Sequence, residues 1–169
     1  MNRLISIIIV NWDGEKYLRD CIPSLLNLRT GQRLEIIVVD NGSKDGSIRY
    51  IKSHNSSFKT KKIDLSIIEN KKNLGFAPAN NQGYKIAKGD LILFLNNDTK
   101  ALPDFLDPLV NALVSSSRIG AVQPKILYLE DPSKIDSTGS FFTSTGILYH
   151  RGHQQKDKGQ FQNKDEIFS

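Results

Sequence analysis

Apolar residues along the chain gather into short, almost unbroken runs, with stripes at helical spacing between them. The runs at 4–10, 34–39, 63–68 and 91–95 are rich in Ile, Leu and Val, and each is followed by polar or turn-forming residues. Runs of this length without strict alternation predict strands buried on both faces. Between the first two, Tyr17, Leu18, Cys21, Ile22, Leu25 and Leu26 recur at helical spacing and predict a helix over 15–28, with Pro23 as a weak point. A short helix starting near Ser47, with Ile48 and Ile51 inward, is expected next, followed by a solvated basic loop through Lys59, Lys61 and Lys62. A helix over 77–88 ending on Gly89 in the αL conformation leads into the fourth run, and an apolar stripe predicts another over 104–115. Short strands are expected at 119–123 and 126–129. From residue 131 the texture becomes polar and no period survives.

Strand and helix alternate repeatedly before residue 98, which predicts βαβ units, right-handed crossovers and an α/β class with a mostly parallel sheet. Residues 1–130 form the expected core and 131–169 an irregular region. In parallel sheets ligands sit beyond the carboxyl ends of the strands. Three such ends carry polar groups here: Asn11 with Asp13, Asp40 with Asn41, and Asn96 with Asp98. One cleft is expected to gather them.

Composition narrows the partners. A chain of 169 residues with a formal charge of +5 and a pI near 9.3 favours an anionic partner, be it nucleotide, nucleic acid or lipid phosphate. The single cysteine excludes an internal disulfide, and no zinc spacing exists. Together with the missing secretory signal, this gives the expectation of a cytosolic setting. No apolar run approaches the roughly 20 residues of a membrane span, so any membrane role would be peripheral.

A dinucleotide site would place a glycine-rich turn after the first strand, yet Asn11-Trp12-Asp13-Gly14 holds one glycine, and no P-loop is present. Carboxylates stand where those glycines would be. An acid after the second strand can accept from a base or a sugar hydroxyl, and an acid after the fourth can hold a divalent cation against a diphosphate. That pairing suits a nucleotide sugar. Asp40 taken alone could equally cap its own loop. Trp12 could stack on the nucleotide or pack beneath the loop. Cys21 fits core filling, and His150 and His153, without a third ligand, read as surface residues.

Four segments in order carry a resemblance: residues 6–12, 35–47, 73–77 and 89–99. They resemble the successive motifs of family 2 glycosyltransferases of the GT-A (Rossmann-like) fold, most of all the bacterial rhamnosyltransferase-like branch. The resemblance implies a metal-dependent, inverting transfer from a UDP- or dTDP-type sugar to a glycan or lipid-linked acceptor, with no nucleic acid involved. It implies that Val10 and Asn11 line the base pocket, that Asp40 accepts from the ring, that Asn41, Gly42 and Ser43 shape that loop, and that Asn73 borders ribose and phosphates. Asn96, Asn97 and Asp98 fall on the family's Asp-x-Asp position, where Asp98 would bind Mg²⁺ or Mn²⁺. Asn96 departs from the commonest form because an amide brings no charge.

The family's acceptor-activating base lies in a Glu-Asp type motif further downstream. Asp165-Glu166 lacks that context, so the catalytic base is not identified here. The expectation is therefore a donor-binding half, either truncated at its carboxyl end or a shortened gene product, inactive alone, acting in the cytoplasm at the inner face of the membrane. A non-catalytic nucleotide-sugar-binding module is the alternative, and a nucleotidyltransferase a weaker one, because its glycine-rich basic signature is absent.

Overall fold

A computed structural model describes residues 2–163 and 165–167. The terminal limits of the expected 1–130 and 131–169 regions lie outside the described residues. By compactness the chain divides into Met1–Asp107 and Pro108–Ser169, ahead of the change in composition at residue 131.

The first unit is built on four parallel strands in the order β3-β2-β1-β4: β1 (Leu4–Asn11), β2 (Arg33–Asp40), β3 (Asp64–Glu69) and β4 (Leu91–Asn96). β1 and β2 are the central pair and are buried almost throughout, as continuous β-branched runs require. Helix α1 (Glu15–Leu26) buries Leu18, Cys21, Ile22 and Leu25 and runs through Pro23. Helix α4 (Phe76–Ile86) packs on β1 and β2, where Ile8, Ile37, Val39 and Ala79 form one core cluster. Each fully buried Ile or Val side chain contributes about 1.5–3 kcal/mol.

Four expectations are corrected here. The segment expected as a basic loop contains a second short helix, since α2 (Ser47–Ser53) is followed by α3 (Asn55–Thr60), which buries Phe58 completely. One anchoring ring is enough to fold Asn55–Thr60 back onto the unit, and a single apolar residue leaves no period to read. Gly89 does not terminate α4 in αL: the helix ends at Ile86 with Ala87 extended, and Gly89 is absent from the positive-φ residues. Its lack of a side chain serves a close approach, because a Cβ there would stand 2.5 Å from Ser6 Oγ and 2.6 Å from Ser6 N. The run 91–95 is not buried on both faces. It is the outer strand, paired only with β1 among the described residues, and Phe94 is 55% exposed. Finally, no strand forms over 119–123.

In the second unit, α5 (Leu106–Leu113), which begins just ahead of the boundary, precedes two small antiparallel pairs, of which one strand falls within the expected 126–129 and the other three lie in the polar tail that did not announce them. They are β5 (Ile126–Leu127) with β6 (Ile135–Ser137), and β7 (Ser140–Phe142) with β8 (Leu148–His150). Arg151 ties this region together. Its guanidinium lies 5.0 Å from the Phe141 ring centre and 5.2 Å from that of Phe161, donates to Thr138 and pairs with Asp165. No helix among the described residues is long and apolar enough to cross a membrane.

Candidate functional site

The register of the sheet sets up the site. Asn11 stands opposite Asp40 across β1 and β2, and Val10 opposite Asn96 across β1 and β4, so three strands stop at one level. Beyond that level opens a cleft of about 320 Å³ lined by Val10, Trp12, Asn41, Asn73, Phe76, Asn96, Asn97 and Asp98. Every one of these residues belongs to the first unit.

The expected site residues fall into two groups. Val10, Asn41, Asn73, Asn96, Asn97 and Asp98 line the cleft, while Asn11, Asp40, Gly42 and Ser43 are not among its lining residues. Asn11 is 0% and Asp40 3% exposed. Asn11 Nδ2 donates to Asp40 Oδ1 at 3.0 Å and to Ser43 Oγ at 3.1 Å. Asp40 also accepts from Ser43, through the backbone N–H at 2.9 Å and the hydroxyl at 2.5 Å. A buried carboxylate needs such donors, and here they come from its own loop and from β1. Asp13 does not line the cleft; its carboxylate accepts from Lys44 N at 2.6 Å.

A second network holds the opposite wall. Asn41 Nδ2 donates to Asn73 Oδ1 at 2.9 Å and to Gly75 O at 3.1 Å, and its Oδ1 accepts from Asn70 Nδ2 and Leu74 N, each at 3.1 Å. All four hydrogen-bonding positions of that amide are thereby used. Asn73 Oδ1 also accepts from Gly75 N at 2.8 Å, which leaves its Nδ2 as the group a ligand can meet. Gly42, at φ +82°, permits this wall to close, since a Cβ there would lie 2.8 Å from Lys72 Cα.

At the β4 end, no hydrogen bond or ion pair to a described residue engages the Asp98 carboxylate. Thr99 folds back, donating to Asn96 O at 2.7 Å. Beneath the turn, burial pushes the Cys21 thiol up to about 12; a hydrogen bond with Thr99 opposes the shift and the Asp98 charge adds to it. Among the described residues, no three His, Cys, Asp or Glu side chains gather as a metal set. One free carboxylate beside amides therefore fits a cation that arrives with a ligand's oxygens and keeps water, and does not fit one held by protein alone.

Sequence reasoning left Trp12 open and overlooked Phe76. Both line the cleft with largely exposed rings, 58% and 63%. An aromatic directly after Gly75, at the start of a helix whose inward stripe does not use it, was the available signal. His150 and His153 are exposed; His150 Nδ1 pairs with Ser140 Oγ at 3.0 Å and His153 Nδ1 with Asp136 O at 3.0 Å. Asp165 is bound to Arg151, whose guanidinium holds its carboxyl below the usual range.

The family model described as Glycosyl transferase family 2 matches residues 6–166, nearly the whole chain. The chain belongs to glycosyltransferase family 2. Among the curated relatives of this family 2 chain are two uncharacterised glycosyltransferases of Haemophilus influenzae. One is 37% identical over 113 residues, covering 67% of this chain and 43% of the relative; the other is 31% identical over 121 residues, covering 70% and 35%. The chain thus spans well under half the length of these relatives.

Solved structures share the fold. A mannosyltransferase from Pyrobaculum calidifontis, in complex with GDP-Man and Mn²⁺, superposes with a TM-score of 0.62 at 19% identity over 75% of this chain and 34% of that one. TarS of S. aureus in complex with UDP gives 0.58 at 22% identity, over 68% and 32%. The mostly parallel sheet flanked by helices is that of the GT-A glycosyltransferases.

Proposed function

We propose that this chain supplies the donor site of a metal-dependent, inverting glycosyltransferase that takes a UDP- or dTDP-type sugar. The observation that carries the reading is the free Asp98 carboxylate at a cleft where three parallel strands end in register. Two solved structures of the same fold, described with UDP and with GDP-Man and Mn²⁺, support it.

In this reading the diphosphate lies between Asp98 and the amino terminus of α4, whose first residue, Phe76, lines the cleft. The N–H groups and dipole of that terminus favour an anion. Asn73 Nδ2 donates to ribose or phosphate oxygens, Asn96 meets the sugar side, and Trp12 and Phe76 shield the bound nucleotide from water. Asp40 accepts from the base through Oδ2, which receives one bond, from Ser43 N. This contact needs a small opening of the 41–43 loop, because Asp40 is buried. Mg²⁺ or Mn²⁺, when bound, would neutralise the departing diphosphate as the acceptor hydroxyl attacks the anomeric carbon. The cleft lining carries a single carboxylate, already assigned to the metal, so the acceptor's proton is taken by a group elsewhere in the assembled enzyme. The proposed acceptor is a growing glycan or lipid-linked glycan at the cytoplasmic face of the membrane, in keeping with the rhamnosyltransferase-like resemblance.

Titration calorimetry with UDP and dTDP in the presence of Mn²⁺ tests the donor site. Saturable binding of at least one is expected, and failure of both at millimolar concentration would overturn the reading.

A further inference from the structure

The carboxyl ends of β1 and β4 are joined by one side-chain contact that the proposed chemistry does not use. Asn97 Nδ2 donates to Asn11 Oδ1 at 2.8 Å. Asn11 is wholly buried, and both its N–H groups are committed to Asp40 and Ser43, so its amide orientation is fixed and its oxygen must face the β4 turn. Gly14 supplies an independent observation. A Cβ at that position would fall on Asn97 Nδ2 and lie 2.5 Å from Asn11 Oδ1, so the contact fits only above a glycine. Its backbone, at φ −112° and ψ 23°, is open to any residue, so conformational freedom does not explain it. The polypeptide leaves room at Gly14 for one hydrogen bond.

We infer that Gly14 and the Asn11–Asn97 pair form a latch that sets the position of Asp98, coupling the base-side loop at Asp40 and Ser43 to the diphosphate side of the cleft. Asn97 precedes Asp98 directly, so the amide that holds Asn97 fixes where the next carboxylate points. These are positioning residues: Asn11 and Gly14 meet no ligand, and Asn97 acts through its neighbour. A preset carboxylate spares the ligand the cost of ordering the turn, which is where such a hydrogen bond gains affinity. The inference rests on the donor-site reading above.

Asn97→Ala is the test, because it removes the donor of the latch while leaving Asn11 and its bonds to Asp40 and Ser43 in place; Gly14→Ala, whose methyl presses on both Asn97 Nδ2 and Asn11 Oδ1, displaces the same contact. The full chain is titrated with UDP and with uridine, each with and without Mn²⁺. Loss of one positioning hydrogen bond should reduce the Mn²⁺-dependent gain in UDP affinity by about tenfold. Uridine, which lacks phosphate, should bind Asn97→Ala as it binds the wild type. In metal-free protein, hydrogen–deuterium exchange of residues 96–99 should rise. Gly14→Ala should show at least the same loss. Wild-type metal dependence in a folded Asn97→Ala protein, or equal losses of UDP and uridine affinity in it, would overturn the latch. Absence of UDP binding by the wild-type chain would instead fail the donor-site reading.

Discussion

Asn11 and Asp40 face each other in register at the carboxyl ends of β1 and β2, and the Asn11 amide donates to Asp40 Oδ1 at 3.0 Å. The bond closes the central strand pair at the level where the cleft begins. Asp40→Ala leaves the N–H groups of Asn11 and Ser43 buried without their acceptor, so a loss of about 1–3 kcal/mol is expected in urea unfolding. Glu69→Ala, which removes an exposed partner of Lys52, should change stability by less than about 0.5 kcal/mol.

Gly42 is where the two cleft walls meet. At φ +82°, with Lys72 backbone atoms 2.8–2.9 Å from the place a Cβ would take, Gly42→Ala is both strained and obstructed. It should cost about 1–3 kcal/mol. The Asn41–Asn73 contact should loosen with it, and nucleotide affinity should fall beyond what the stability loss explains. Thermal unfolding and calorimetry on one variant separate the two effects.

Much of this arrangement was legible in the sequence, and what escaped is informative. The runs ending at Asn11 and Asp40 declare buried strands because a parallel sheet covered on both faces admits no polar alternation. Their polar ends declare the cleft. Phe58 was invisible as a helix anchor because a single buried residue in a six-residue helix leaves no period to read. Likewise the run ending at Leu95 looks like an inner strand, and only the topology shows that its outer edge is unpaired among the described residues. Asp98 could be placed from its strand alone. The commitment of Asn11, Asp40 and Asn41 to one another could not, since which polar residues satisfy each other depends on tertiary contacts.

Phe58 is fully buried within the six-residue α3. Phe58→Ala should therefore cost about 3–5 kcal/mol, the range for emptying an aromatic core site. Phe94→Ser, on the exposed outer strand, should cost far less. A reversed order in chemical denaturation would contradict the assigned burial.

Cys21 gives a pH dependence of known sign. Its thiol, at about 12 in the folded protein against 9.0 when unperturbed, stays protonated in the fold while the unfolded chain ionises. The associated stability is fully present below pH 9 and is lost as the pH rises toward 12, at up to about 1.4 kcal/mol per unit. Cys21→Ala should remove this component of the alkaline slope in urea unfolding at successive pH values. A thiol that reacted rapidly with iodoacetamide in the native protein at pH 8 would contradict the burial behind it.

The central claim is that Asp98 holds a divalent cation against the diphosphate of a bound nucleotide. It is tested most directly by titrating UDP and dTDP into wild-type and Asp98→Ala protein, with Mn²⁺ and with a chelator. The account predicts that Mn²⁺ strengthens binding to the wild type and leaves Asp98→Ala unchanged. Metal-dependent affinity that survives the loss of Asp98 would contradict it.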